Sequence, residues 1–127
     1  MADEIRVTAA LSASKGGASI NTVGSTGSSS FVDDMTGADM GSWTQTIGFA
    51  ADEAVNIPGD IGTCKYLFVA NLDATNYIEL SYATGGSFVA RVRVDPGGIA
   101  LFRPTSTTIY AQANTGDCVC FFAAVEV

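Results

Sequence analysis

The sequence contains no histidine. Nucleophilic hydrolysis of the familiar kind needs a base beside the nucleophile, and histidine is the usual one. Its absence excludes that class, together with histidine-ligated metal sites. Charge is scarce as well: 15% of the residues are Asp, Glu, Lys or Arg, against about 25% in an ordinary domain. Small neutral residues fill the deficit, and a surface made of them can be buried against neighbours with few charges to strip of water. Thirteen acids against six bases leave a net charge of −7. Nucleic-acid binding needs a basic face that displaces counterions from phosphates. Only Arg91, Arg93 and Arg103 approach a cluster, and acids surround them. Neither nucleic acid nor an anionic membrane is an expected partner. No apolar run reaches the roughly 18 residues of a membrane-spanning helix. The opening MADEIRVTAA has acids where a signal peptide has bases, so synthesis and retention in a cytoplasm are expected.

Three cysteines, Cys64, Cys118 and Cys120, are an odd number and argue against a disulfide framework in a chain that is not exported. Cys118 and Cys120 fall on one side of a strand, because side chains alternate. Even with Cys64 they would lack the fourth ligand of a zinc site. They are read as small buried hydrophobes, and no cofactor is expected.

Apolar spacing at i, i+3, i+4, i+7 is sustained nowhere; alternation with period two recurs throughout. EIRVTAALSA puts Ile5, Val7, Ala9 and Leu11 on one face. SWTQTIGFA puts Trp43, Gln45 and Ile47 on one side, and EAVNI adds a short strand. FVARVRV, residues 88–94, turns Phe88, Ala90, Val92 and Val94 inward, with Arg91 and Arg93 outward. From Tyr66 onward six strands are expected, over 66–72, 76–83, 87–94, 98–103, 107–113 and 117–127. Between them stand Asn71 to Asn76, read as a hairpin tip, then Thr84-Gly85-Gly86, Asp95-Pro96-Gly97-Gly98 and Asn114-Thr115-Gly116-Asp117. Such punctuation about every ten residues writes an antiparallel sandwich or barrel. At 127 residues the chain is expected to be one domain, 1–127, with a Gly/Ser-rich arm over 14–41, where short strands survive at ASINTV and SSFVDD. The fold class is all-β, an antiparallel β-sandwich, with the jelly roll as one form of it. The last strand, CVCFFAAVEV, is apolar on both faces up to Glu126. It reads as a central strand, or as one side of a subunit contact.

Little in this sequence carries chemistry. The adjacent carboxylates Asp33/Asp34 and Asp52/Glu53 could serve glycoside hydrolysis only with a distant acid, and no enzyme is expected. DDMTGADMG offers Asp33, Asp34 and Asp39 as weak calcium candidates, but the stretch fails the EF-hand spacing and a solvated acidic loop explains it better. Gly24-Ser25-Thr26-Gly27 has no following lysine, so it is read as linker and not as a phosphate loop. Trp43, Tyr66, Tyr77, Tyr82 and Tyr110 could stack on sugars, though core or interface is the commoner use. The interface candidates are Trp43, Tyr77, Tyr82, Cys120, Phe122 and Ala124.

With the strands placed, YLFVANLDATNYIELSY, FVARVRVDPGGIALFRP and TIYAQANTGDCVCFFAAVEV form a pattern that resembles small virion proteins of tailed bacteriophages. A strand ends in Asn-Leu-Asp-x-Thr-Asn, a Pro-Gly turn leads into ALFR, and YAQANT precedes the last apolar strand. The resemblance covers residues 43–127, because SWTQTIGFAADEAVNIPGDIG is similar to the family's entry strands. It implies a β-sandwich built into a phage particle, a decoration or cement protein of the head, or else a tail- or fibre-associated module that binds a receptor or glycan. It brings no catalytic residue. The implied partners are further copies of the chain, a trimer being the favoured homo-oligomer, and capsid or tail proteins. The implied location is the virion, assembled in the host cytoplasm. A cupin-like jelly roll also compares with the PGG turn, but its metal-binding histidines have no counterpart here.

Overall fold

The computed structural model describes residues 4–21, 30–34 and 39–126. It divides the chain into two compact units, Met1–Thr36 and Gly37–Val127, where length led to the expectation of one domain over 1–127. The reason lies in the backbone pairing. Strand β1 (Glu4–Thr8) pairs with β4 (Ser30–Asp34), and β2 (Ser12–Lys15) pairs with β3 (Ala18–Asn21), so these ladders close among themselves. Gly16 and Gly17, both at positive φ, form the two-residue turn of the second hairpin, which suits its twist. The arm expected over 14–41 therefore contains a strand and much of a hairpin. Ile5 and Val7 are buried as expected, whereas Ala9 and Leu11 lie beyond the end of β1 and are exposed. The Gly24 to Gly27 stretch lies outside the described residues.

The second unit contains β5 (Met40–Ile47), β6 (Glu53–Ala54), β7 (Cys64–Asn71), β8 (Ile78–Ser81), β9 (Val92–Val94), β10 (Ile99–Phe102), β11 (Tyr110–Ala113) and β12 (Cys118–Glu126). Each of the six strands expected from Tyr66 onward has a counterpart in this series, most of them shorter than expected. They form two antiparallel four-stranded sheets, in the orders β10-β7-β12-β5 and β6-β11-β8-β9. The outermost pair in sequence is β5 with β12, followed inward by β6 with β11, β7 with β10 and β8 with β9. The second unit is thus one long hairpin with its tip between β8 and β9, rolled so that successive pairs alternate between sheets. This is jelly-roll connectivity.

The turn at Asp95 forms as its residues dictate. Gly97 has φ +69°, and the N–H of Gly98 donates to the carbonyl of Asp95 at 2.8 Å. Two expectations are corrected. Residues 88–91 are not strand: Val89 N–H is taken by the Ser81 hydroxyl and Phe88 N–H by the carbonyl of Gly85, while Arg91 N–H meets the carbonyl of Leu80. The hydroxyl of Ser81 accepts from the N–H groups of Ala83 and Val89, and the Asp52 carboxylate accepts from Gly85 N–H and the Thr84 hydroxyl. A short 3₁₀ turn, Gly85–Ser87, results. The second correction concerns Asn71 to Asn76. This segment is not a hairpin tip, since β7 and β8 belong to different sheets; it is a corner that carries the chain from one sheet to the other.

The corner is built from side-chain hydrogen bonds. Asp73 Oδ1 accepts from the N–H groups of Asn76 at 2.6 Å and Thr75 at 2.8 Å. These donors hold the Asp73 carboxyl below its ordinary range, because they bind the charged form. Asn71 is buried, and its Nδ2 donates to the carbonyls of Asn76 and Val94 at 2.8 and 3.1 Å. Its Oδ1 accepts from Asp73 N–H at 3.0 Å.

Between the sheets lie Ile47, Leu67, Val69, Ile78, Leu80, Val94, Ile109, Cys118, Cys120 and Phe122. The three cysteines are buried free thiols. Burial pushes all three up, and Cys120 reaches about 12, because a thiolate loses its hydration there. An alkylating reagent at pH 8 is therefore expected to leave the folded chain unlabelled and to modify three cysteines once urea unfolds it, as mass spectrometry would read.

Candidate functional site

The two sheets differ on their outer faces. On the outer side of β6-β11-β8-β9, Glu79 lies between Gln112 and Arg93 in register. Arg93 sits 3.6 Å above the ring of Tyr77 and donates to Asp95 at 2.7 Å. A polar face of this kind needs no cover.

The outer side of β10-β7-β12-β5 is made differently. The register sets Ile99, Ala70, Phe121 and Thr44 in one row across the four strands, and Leu101, Phe68, Ala123 and Ser42 in the next. Tyr66, Val125 and Met40 make a third row, and Leu72, Val119 and Thr46 a fourth. No charged side chain occurs in these rows; the first along β10 is Arg103, past the end of the strand. Ile99 is 70% exposed, Met40 67% and Leu72 61%. Phe68 and Phe121 meet edge to face at 6.3 Å. Three strands of about eight residues and one of four, about 4.8 Å apart, span about 450 Å² in flat projection, and an uncharged, largely apolar face of that size is the kind that often serves as a contact surface. Beside Ser42 and Ala123 the small side chains leave a shallow hollow of about 260 Å³, lined by Met40, Gly41, Ser42, Ala123, Ala124 and Val125.

No protein-family model, curated protein or solved structure matches the chain. Its use must be read from its own surfaces.

The interface residues expected from sequence are placed unevenly. Cys120, Phe122 and Ala124 point between the sheets and are almost wholly buried, so they belong to the core and not to an outer face. The register decides this: Cys120 faces Gln45, Phe122 faces Trp43 and Ala124 faces Gly41, all inward positions of β5. The outward set is Val119, Phe121, Ala123 and Val125. Sequence alternation finds the two sets but not which of them faces out, because both are apolar.

Trp43, Tyr77 and Tyr82 are not brought together. Trp43 stacks on Phe122, with centroids 5.4 Å apart and planes 11° from parallel. Tyr77 lies under Arg93 on the other sheet. Tyr82 packs against the core, and its hydroxyl accepts from Thr105 N–H. Trp43 and Tyr82 are used in packing against the core and Tyr77 lies under Arg93, so the three rings make no common stacking platform. Asp33 and Asp34 are neighbours in β4, in register with Ile5 and Glu4, while Asp39 belongs to the second unit. Among the described residues no group of three or more His, Cys, Asp or Glu is placed to hold a metal ion.

Proposed function

We propose that the chain is a non-enzymatic structural protein of a phage virion, a decoration or cement protein of the capsid that stabilises the particle through repeated subunit contacts. The observation that carries this reading is the outer face of β10-β7-β12-β5, four strands wide and free of charge. The second unit by itself would leave that face in water. Covering it is worth about 25 cal/mol for each Å² of apolar surface removed from water, and many modest contacts on a lattice add through multivalency. The resemblance of residues 43–127 to small virion proteins supplies the setting: assembly in the host cytoplasm with other copies and with capsid proteins. The polar outer face of the second sheet suits the side turned to solvent. The tail-associated, glycan-binding alternative draws less support, since Trp43, Tyr77 and Tyr82 are dispersed.

The test is the protein content of particles purified from a producing host. The chain is expected at a fixed copy number per particle, and Phe121→Lys, which puts a charge in the middle of the face, is expected to reduce its incorporation at least tenfold. Particles of full stability that lack the wild-type chain would overturn the reading.

A further inference from the structure

Four strands form the edges of the two sheets, and three of them are protected against pairing with another chain. Strand β6 has two residues and β9 three, the latter bracketed by Arg91 and Asp95. Strand β10 has four residues, preceded by Pro96-Gly97-Gly98 and followed by Arg103 and Pro104. Short length, charge and proline are the usual means by which an edge is kept single. Strand β5 has none of them. All eight residues of MGSWTQTI pair in register with β12, and they include no charge, no proline and no bulge.

We propose that two copies of the chain pair antiparallel through β5, about a two-fold axis at Thr44, joining two four-stranded sheets into one of eight. This inference rests on the reading of that sheet as a contact surface, and it names the partner as a second copy. The strand is complementary to itself. Its outward residues Ser42, Thr44 and Thr46 are exposed and symmetric about Thr44, so the axis sets Thr44 against Thr44 and Ser42 against Thr46, small uncharged pairs that suit an antiparallel ladder. Within the ladder itself no charge meets a charge, although each chain carries −7.

The same axis sets Met40 opposite Gly48 and the following Phe49 opposite Asp39, at the end of the strand where Met40 lines the hollow with Ser42, Ala123 and Val125. Phe49 is exposed, yet its backbone is fixed: its N–H donates to Asp117 and its carbonyl accepts from Gln112. An aromatic ring on a held backbone is a preorganised anchor, and the two-fold uses it twice. The apolar outer faces of the two copies also become continuous. A closed trimer would require β5 to meet a different edge, and every other edge in the second unit is short and guarded.

Cysteine cross-linking of the full-length chain tests the register. Residues opposite each other in an antiparallel ladder have Cα atoms about 4.5–5.5 Å apart, within the span of a disulfide, and the native thiols are buried. With oxidised glutathione, Thr44→Cys is expected to give a disulfide-linked dimer. Ser42→Cys and Thr46→Cys are expected to link only when mixed with each other. In the wild type, emission from Trp43, the single tryptophan, is expected to shift to shorter wavelength as concentration rises. Thr44→Lys should abolish that shift, and Phe49→Ala should weaken the dimer roughly tenfold or more. Two results would overturn the pairing: a wild-type chain that stays monomeric, or Thr44→Cys linking no better than Ile99→Cys on the far edge. Particle incorporation without Thr44 cross-linking would sink the pairing alone; cross-linking without incorporation would sink the virion reading alone.

Discussion

Phe122→Ala is expected to destabilise the second unit by about 4 kcal/mol, the usual loss for a fully buried phenylalanine. Phe122 has no exposed surface and packs against Trp43 from between the sheets. Its removal forfeits the transfer of the ring from water and leaves a cavity that β-sheet backbones on both sides cannot collapse to fill. A domain holds only about 5–15 kcal/mol in total, so the loss takes a large share of it. Urea unfolding followed by circular dichroism measures the change. The neighbouring Phe121 supplies the internal control. It is only half-buried, on the opposite side of the same strand, and Phe121→Ala is expected to cost about 1 kcal/mol in unfolding while weakening association between subunits. Equal losses at the two positions would mean that the facing of β12 is wrong.

The second large effect is expected at the corner between the sheets. Asn71→Leu keeps the branching of the side chain, enlarges it and removes its hydrogen bonds. The carbonyls of Asn76 and Val94 and the N–H of Asp73 then lose their partner, in a place that is buried at Val94 and partly buried at the other two. Stranding buried polar groups costs about 1–3 kcal/mol each, so a loss of about 3 kcal/mol or more is expected despite the gain in apolarity. The thermal midpoint of Asn71→Leu against Asn71→Asp separates shape from donor chemistry. Both should fall, since the carboxylate brings a charge into the core and still offers no donor to the two carbonyls. A variant with wild-type stability would show that the corner does not depend on Asn71.

The corner also illustrates why part of this molecule is hidden in its sequence. Asn71 and Asp73 mark a change of direction, and their own chemistry says so. Whether the chain turns back beside the strand it left or crosses to the facing sheet depends on which strands β7 and β8 pair with, and those partners are β10, β12, β9 and β11. Residues 88–91 depart from expectation for a similar reason. Their alternation is that of a strand, but the Ser81 hydroxyl takes Val89 N–H, and Asp52, distant in sequence, ties down Thr84 and Gly85 just before them.

What the sequence determined by itself is local. Alternation and the absence of a helical period set the all-β class, and Pro96-Gly97 and the Asn/Gly clusters set where strands stop, because these follow from the preferences of each residue and its near neighbours. The absence of histidine and the scarcity of charge limited the chemistry in the same way. The tertiary structure alone decided the order of strands and which side of β12 faces out, because both of its faces are apolar and only the register with Trp43, Gln45 and Ile47 distinguishes them. That choice sends Phe122 inward and Phe121 outward, and with it the uncharged face that a neighbour can cover.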